Sequence, residues 1–394
     1  MAQGIKPVDQ VGIKALNENT LIVELEHPTP YFNELIASTL FFPIPKHLDE
    51  KGVEWSGKTG DLLISNGPFK LIKWERDNEL TLVKNLLYWD AEKVALQGIN
   101  IQVIKDGETQ VCLFEKGELD WVGSPFTSLP FDSIQTLKQM GNYHSVDGLF
   151  VYWFFVNTEK FPFNNKKFRQ ALSYAISRDE IAKNVFEKEG KAAKSILAAC
   201  ISLHENPDLF YNNQLVAKKL FEEALVEMEI HKEELPKISL SCCSFSEIHN
   251  RLTQAIQEDW RRVLGLQISL EQIDWPIHFS NILKGNYQVG LMGWLPIVKD
   301  PIAILEIFKD RGNGSNMSRW EDVRYQKILD NSDQAIDQGE RNELLKMAEG
   351  IIVDEMPVIP ICFLKRGFGK NCRLKNVYVA PNEQIEFKYA YLVE

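Results

Sequence analysis

The 394-residue sequence contains no apolar run of the roughly 18–20 residues that a membrane-spanning helix requires. Its longest apolar stretch, LFVYWFFV at residues 149–156, has the length of a strand. The N-terminal segment MAQGIKPVDQ also lacks the apolar core of a signal peptide. Taken literally, these features predict a cytoplasmic protein; the alternative is a chain whose natural start is missing.

The sequence also has no excess of positive charge. It contains 44 Lys and Arg against 55 Asp and Glu, a formal net charge of −11. Because binding to a phosphate backbone requires a cationic surface, this charge argues against nucleic acid as a partner. It is compatible with small ligands, including cationic peptides.

Metal and redox signatures are missing as well. The six cysteines form no C-x-x-C pair, and the seven histidines are scattered without ligand spacing. Cys242 and Cys243 are adjacent, so in a strand they point to opposite faces. The sequence therefore predicts structural thiols, histidines that are mostly surface or capping residues, and neither metal nor cofactor.

Catalytic motifs are absent with one apparent exception. There is no G-x-S-x-G, H-E-x-x-H or strand-linked G-x-G-x-x-G, but GVEWSGKT at residues 52–59 fits the phosphate-loop pattern. A working phosphate loop lies between a buried strand and a helix. Here the preceding residues 47–51 (HLDEK) are too charged for a central strand, and a turn follows at residues 66–68. The context predicts an ordinary polar loop.

Strand patterns are present in the first third of the chain. Alternating apolar residues predict a strand at 20–26, a hairpin formed by 69–74 and 79–83, and a third strand at 99–104. A short helix follows, ended by Gly117.

Two helices are predicted to meet at a capped joint near the middle of the chain. Residues 149–156 are apolar on both faces, as in a buried strand. Apolar residues then recur at helical spacing over residues 163–186. The segment SRDE at residues 177–180 fits a capping box, which predicts the start of the second helix.

From residue 237 onward, predicted strands alternate with helices. The strands are predicted at 237–243, 266–273, 287–293 and 358–364, and the helices at 246–264, 276–284, 323–330 and 340–354. The third strand leads to the segment 300–308. This order predicts an α/β lobe with a largely parallel sheet.

Aromatic residues follow the carboxyl ends of the predicted strands, where open α/β sheets bind ligands. Asp274 and Trp275 follow the second strand, Trp294 follows the third, and His249 opens the helix after the first. We therefore predict that Trp275, Trp294 and His249 share one rim. Indole faces with a few polar anchors suit ligand binding better than proton transfer. The alternative is that the tryptophans are core residues and His249 a surface or helix-start residue.

Four stretches resemble the solute-binding proteins of dipeptide and oligopeptide ABC transporters, extracellular solute-binding protein family 5. They are SNGPFKLIKWERDNELTLVKNLLYWD at 65–90, FNNKKFRQALSYAISRDEI at 163–181, DWPIHFSNILKGNYQVGLMGW at 274–294 and MPVIPICFL at 356–364. The resemblance spans nearly the whole chain. It implies two lobes that close on a ligand about two crossing strands, here residues 149–156 and 361–365.

The resemblance also implies a domain organisation. Residues 1–55 are the remainder of an extra subdomain, residues 56–155 with 365–394 an incomplete first lobe, and residues 156–364 the second α/β lobe. The expected fold class is α/β: a two-lobed periplasmic-binding-protein-like fold with mixed sheets flanked by helices. The N-terminal part of the family, with its signal peptide or lipoprotein anchor, is expected to be missing, and the expected location is the periplasm.

Cleft positions carry over only in part. Trp275, Trp294 and His249 match residues that line the family's peptide cleft. The aspartate that pairs with the peptide's α-amino group falls at Ile297, which cannot hold an ammonium, and two family arginines fall at Ile282 and Leu291.

Nearby charged residues are the candidates to replace these groups. Lys284 is the candidate for the lost arginines, and Asp274 or Asp300 for the lost carboxylate. Without a replacement, loss of a buried carboxylate–ammonium pair costs roughly 2–3 kcal/mol.

The resulting hypothesis is a monomeric, non-catalytic protein that binds an oligopeptide and delivers it to the membrane permease of an ABC importer. Three alternatives remain. The ligand is a different solute, such as a cell-wall peptide lacking the usual amine contact, which Ile297 favours. The chain is a nucleotide hydrolase that uses residues 52–59. The chain is a truncated remnant that has lost binding.

Overall fold

The computed structural model describes residues 11–50, 63–187, 189–204, 213–244 and 247–393. The GVEWSGKT stretch at residues 52–59 lies outside these residues, so the loop predicted there stays a prediction.

A hairpin and two short helices form the N-terminal part. The elements are β1 (Ile13–Asn17), β2 (Thr20–Val23), α1 (Phe32–Ile36) and α2 (Lys46–Asp49). β1 and β2 pair antiparallel, which confirms the strand predicted from residue 20. Glu34 accepts a hydrogen bond of 2.8 Å from the backbone N–H of Lys299. This part therefore contacts the α/β region that follows it in the chain.

A small sheet and two helices come next. The elements are β3 (Phe69–Glu75), β4 (Glu79–Lys84), β5 (Gly98–Gln102), α3 (Gly107–Glu115), β6 (Trp121–Gly123) and α4 (Phe131–Gln139). β3, β4 and β5 form an antiparallel sheet, which confirms the predicted hairpin and third strand. α3 stops before Gly117, whose φ of +77° favours glycine, as predicted. Val111, Phe114, Val122 and Leu137 bury a small core between α3, β6 and α4.

A seven-stranded sheet forms the centre of the remaining chain. Besides β6 it contains β7 (Tyr143–Val156), β8 (Gly190–Ala192), β9 (Ile238–Cys243), β10 (Ile268–Ile273), β11 (Val289–Trp294) and β12 (Val358–Lys370). The strand order is β10-β9-β11-β7-β12-β6, and β8 pairs with β12. β9 is parallel to β10 and β11, whereas β7 is antiparallel to β11 and β12. The prediction of a largely parallel sheet is therefore wrong for the middle of the sheet. There the crossing strands β7 and β12 run antiparallel to each other, and β7 also runs antiparallel to β11.

The β7–β12 ladder is interrupted at two places. Ile361 is an extra residue on β12 between the pairs made by Pro360 and Cys362. Further along, residues 148–150 of β7 lie opposite the single residue Leu364. Both strands are longer than the predicted crossings, and both interruptions lie within or beside those predicted segments.

Helices cover both faces of this sheet. They are α5 (Lys166–Tyr174), α6 (Arg178–Asn184), α7 (Gln214–Glu227), α8 (Glu247–Leu264), α9 (Trp275–Lys284), α10 (Ile302–Leu305), α11 (Val323–Gln334) and α12 (Gln338–Glu355). α5 to α8 bury one core with Phe154 and Val156 of β7. α9 to α12 bury a second core with Trp153 and Phe155 on the other face. The alternation along β7 is that of a strand with both faces covered.

The joint between α5 and α6 differs from the predicted capping box. Ser177 is the residue that precedes α6, but its side chain makes no capping bond there. Its backbone N–H and hydroxyl instead donate to the Asp259 carboxylate of α8, at 2.7 and 3.2 Å. A charged acceptor makes the stronger hydrogen bonds, so a tertiary contact replaces the local cap.

The C-terminal residues add two short antiparallel pairs. The strands are β13 (Leu374–Lys375), β14 (Tyr378–Val379), β15 (Ile385–Glu386) and β16 (Tyr391–Leu392). β13 pairs with β16, and β14 with β15. Among the helices of the described chain, none is both long and apolar enough to cross a bilayer.

Candidate ligand-binding site

The chain reverses its direction across the sheet between β9 and β11. α8 connects β9 to β10 on one face, and α9 then leads from β10 back past β9 to β11 on the opposite face. Such a reversal opens a crevice beyond the carboxyl ends of the two strands, where α/β proteins bind their ligands. A ligand is therefore expected to bind beyond the carboxyl ends of β9 and β11.

One edge of β11 is uncovered at this crevice. β9 pairs with β11 only at Val289 and Gly290, and then continues with β10 as far as Cys243. On its other side β11 stays paired with β7 as far as Trp294. Within the described part of the chain, no strand pairs with this side of β11 beyond Gly290. We call residues 291–295 on this side the crevice edge.

His278 fills the split between β9 and β11. Its side chain has 0% exposure, and its Nε2 lies 3.0 Å from the carbonyl oxygen of Leu291. A carbonyl partner requires the tautomer with the proton on Nε2. Burial lowers the pKa of His278 below its usual value, so the ring is neutral at pH 7.

Most histidines are predicted to be surface or capping residues, and His278 is an exception, since it is fully buried. The signal was readable: His278 shares one helical face with Trp275, Phe279 and Ile282, at the spacing of an apolar stripe. Ile282 is buried and Phe279 packs against the same core.

The structure places Trp275 and Trp294 on the same face of the sheet. Trp275 is 42% exposed and stacks on Phe279 with ring centroids 5.4 Å apart. Trp294 is half-buried and lies 6.2 Å from Trp153. Both neighbouring rings belong to or pack against the core under α9 to α12. Trp275 is thus the more accessible of the two indoles.

His249 lies on the other face, in the first turn of α8. Its ring meets Tyr152 edge to face at 5.5 Å and hydrogen-bonds the backbone of Cys243, the last residue of β9. Burial is the main reason that the pKa of His249 is lowered, and the nearby His278 lowers it further. The two histidines therefore lie on either side of the same split.

The remaining predicted residues are spread along the crevice and beyond it. Asp274 is exposed at the start of α9 and accepts a hydrogen bond of 3.1 Å from the Ser244 hydroxyl. Ile297 is 51% exposed, and its carbonyl accepts a bond from Asn382. Lys284 ends α9, about 14 Å along the helix from Trp275, and so lies away from the rim.

The positions that match family arginines are core positions. Ile282 and Leu291 are fully buried, one in each core. Asp300 is not available to a ligand either, because its carboxylate forms a bidentate ion pair with Arg341 at 2.8 and 3.0 Å. Of the two proposed substitutes, Asp274 is therefore the one whose carboxylate has no cationic partner among the described residues.

A cavity of about 440 Å³ lies beside the crossing strands, on the side covered by α8. Residues 124–134 line one wall, the first turns of α8 line the other, and residues 364–367 of β12 form the floor. Arg366 on this floor pairs with Glu383 and lies over the Phe150 ring at 4.8 Å. Burial lowers the pKa of Arg366 to about 10, so the guanidinium stays charged.

The charge of this cavity is negative on balance. Of its lining residues, Glu187 pairs with Arg251 inside the cavity, whereas Glu189 and Arg366 pair with Lys138 and Glu383 outside it. Among the described residues, Glu108, Asp132 and Glu247 have no cationic partner, and Lys365 has no anionic one. A cationic group is therefore the complementary occupant. No group of three His, Cys, Asp or Glu in the described residues is placed to hold a metal ion.

We expect the two histidines to make folding sensitive to mild acid. Both have lowered pKa values in the folded chain, so the unfolded chain binds more protons below the ordinary value of about 6.5. Their contribution is therefore present above that pH and is lost as the pH falls. Urea unfolding between about pH 7.5 and pH 5.5 should show a shallower pH dependence for His278→Gln than for the wild type. The exposed control His47→Gln should keep the wild-type slope; equal slopes for all three would contradict the assignment.

Comparison with known proteins gives a consistent result. The family profile described as bacterial extracellular solute-binding proteins, family 5 Middle, matches residues 2–316. The oligopeptide-binding protein OppA of Bacillus subtilis (strain 168) is 39% identical over 388 residues, which cover 98% of this chain and 71% of that protein. The dipeptide-binding protein DppE of the same organism is 29% identical over 97% of this chain and 70% of its own length.

Solved structures agree with these relatives. The oligopeptide-binding protein OppAIV of Borrelia burgdorferi superposes with a TM-score of 0.81 at 25% identity, over 99% of this chain and 77% of that one. The murein tripeptide-binding protein MppA of Escherichia coli gives 0.80 at 26% identity, over 98% and 75%. The expected two-lobed α/β fold class is thereby confirmed. The chain belongs to the bacterial extracellular solute-binding proteins of family 5.

Proposed function

We propose that this chain is the substrate-binding component of an ABC importer, that it binds an oligopeptide between two lobes, and that it catalyses no reaction. The observation that carries the proposal is the uncovered crevice edge of β11 at the reversal of the sheet. An extended peptide adds to such an edge as one more strand, and main-chain hydrogen bonds give affinity with little dependence on peptide sequence.

The backbone groups available to a peptide follow from the alternation of the strand. The carbonyls of Val289 and Leu291 accept bonds from Ser241 and His278 on the crevice side. Successive residues of a strand turn their hydrogen-bonding groups to opposite sides. Gly293, and Leu295 one step beyond β11, therefore present theirs to the crevice.

Side-chain selectivity is assigned to the surroundings of this edge. Trp275 offers an exposed indole face, and apolar side chains of a peptide gain area by packing on it. The negative cavity beside residues 364–367 suits a basic side chain. We place His249 between these two regions, since it contacts Tyr152 of the crossing strand.

The division of the chain into two lobes is part of the proposal. Residues 56–155 with 365–394 form one lobe and residues 156–364 the other, joined by β7 and β12. Closure of the lobes buries the peptide, and the closed form is what the membrane permease recognises. The chain acts as a monomer in the periplasm.

Ile297 favours a second candidate ligand within the same class. The apolar side chain cannot pair with an α-ammonium, and Asp300 is already bound to Arg341. A peptide without a free amine, such as a cell-wall peptide, would lose no binding free energy at Ile297, because it has no ammonium to pair. The separating measurement is the affinity of one peptide with a free and with an acetylated N-terminus. Equal affinities support the amine-free ligand, and a loss of about tenfold on acetylation supports the ordinary peptide with Asp274 as its partner.

The test of strand addition changes the ligand and leaves the protein intact. Native mass spectrometry first selects a binding sequence from a library of short peptides, and calorimetry then measures variants N-methylated at one residue each. We expect losses of about fivefold at alternate residues, since each blocked bond is worth about 1 kcal/mol. Equal effects at all residues, or a chain that ignores the library, would contradict the proposal.

A further inference from the structure

His278 hydrogen-bonds the first carbonyl of the crevice edge, that of Leu291, and so closes it to other donors. The last residues that pair β9 with β11 are Ser241 and Gly290, and Leu291 follows immediately. The imidazole Nε2 takes the Leu291 carbonyl at 3.0 Å, in the place where β9 would otherwise continue. We propose that His278 is a positioning residue: by closing this carbonyl it sets the register in which an added peptide strand pairs with β11. The inference rests on the proposed function, because it concerns the same edge.

The imidazole is held in place by the packing of α9 on β11. A Cβ built on Gly290 would lie 2.8 Å from Cδ1 of Ile282, so helix and strand approach as closely as a glycine allows. The backbone N–H of His278 donates to the Asp274 carbonyl at 2.8 Å, which anchors the residue in the first turn of α9. The Trp275 ring lies over the same turn, 6.3 Å from the imidazole.

The hydrogen-bonding state of the ring fits this role. Nδ1 has no hydrogen-bond partner among the described residues, as expected for an imidazole whose proton is on Nε2. The donor satisfies a carbonyl that β9 no longer reaches, and leaving such a group without a partner costs about 1–3 kcal/mol. A neutral donor also adds no charge to the crevice beside Asp274.

The bond to His278 determines where along β11 a peptide can begin to pair. With Leu291 closed, the first free carbonyl on the crevice side is that of Gly293, two residues or about 7 Å further along the strand. An added peptide must therefore begin its pairing at Gly293. If the Leu291 carbonyl were open, a second register displaced by two residues would compete with the first.

Two variants separate this role from simple packing. His278→Gln keeps an N–H donor that reaches a backbone carbonyl. His278→Leu packs in the same core but is shorter than the imidazole and has no donor, so it leaves the carbonyl open. Each is measured by calorimetry with the N-methylated series of the peptide selected by the wild type. We expect wild type and His278→Gln to share the same sensitive peptide residues. In His278→Leu a further residue, two positions away, should become sensitive by about fivefold.

The possible outcomes lead to distinct conclusions. An unchanged pattern in His278→Leu, with wild-type binding intact, overturns the register role and leaves the proposed function standing. A wild type that binds no peptide overturns both. Nitrogen-15 NMR of the wild-type imidazole tests the contact without any substitution. A proton on Nε2 that is protected from exchange supports it, and a proton on Nδ1 refutes it, even where His278→Leu fails to fold.

Discussion

Replacing Arg341 with methionine should lower the free energy of unfolding by about 3–5 kcal/mol, because it leaves the Asp300 carboxylate buried without its partner. The side chains of Arg341 and Asp300 are only 3% and 12% exposed, and they meet at 2.8 Å. Asp300 also accepts a bond from the backbone N–H of Ile302 at the start of α10, so the pair anchors that helix. Urea unfolding followed by circular dichroism measures the loss.

The control for this prediction is an arginine whose ion pair is exposed. Arg324 is 70% exposed and pairs with Asp322. Its replacement by methionine should cost about 1 kcal/mol or less, since solvent screens the pair. Asp300→Asn serves as a second variant and should also be destabilising, because it leaves the guanidinium unpaired. Small and equal losses for Arg341→Met and Arg324→Met would show that the buried pair is not a major contributor.

Gly293→Ala should damage both stability and ligand binding. A Cβ at this position would lie 2.1 Å from Cζ of Phe150, a distance that forces the ring or the strand to move. Phe150 cannot move freely, because Arg366 lies over one side at 4.8 Å and Tyr152 meets its edge at 5.0 Å. We expect a loss of about 1–3 kcal/mol in unfolding free energy. Peptide affinity should fall about tenfold or more as the crevice edge is displaced, a loss of at least about 1.4 kcal/mol.

A glycine with free space around it provides the control. Gly350 lies in α12, and a Cβ built there meets no atom within 4 Å. Gly350→Ala should stabilise the chain by up to about 1 kcal/mol and leave peptide affinity unchanged. The double variant Phe150→Ala with Gly293→Ala removes the clash and should recover part of the loss. No recovery would mean that the steric explanation is wrong.

The α/β region after residue 237 could be predicted because its elements are long and strongly patterned. α8 and α12 each span 18 residues, so helical periodicity is repeated several times along each. The strand β11 is free of charged residues and β9 alternates apolar residues with Ser239 and Ser241, and both are short segments between turns. α7 was equally readable, with Asn213 as its cap and Ala217, Phe221 and Ala224 on its buried face, yet it is missing from the predictions.

Other features could not be predicted because partners distant in sequence decide them. Asp259 binds Ser177 from another helix, and no local pattern shows that it displaces the expected cap. β8 and β13 to β16 span only two or three residues, too few for a period to appear. At the candidate site, the tryptophans could be placed by the rule for strand ends. The open edge of β11 could not, because it depends on where β9 diverges.

The unequal strand lengths in the β7–β12 ladder have a mechanical consequence. A strand pair with unmatched residues twists and bends more strongly at those points than a regular ladder does. Ile361 and the segment opposite Leu364 therefore act as two adjacent weak points within one continuous hydrogen-bonded ribbon. A bending motion centred there leaves the paired stretches on both sides intact. The position of the bending axis is therefore set by the register of β7 and β12, whether or not a ligand is bound beside them.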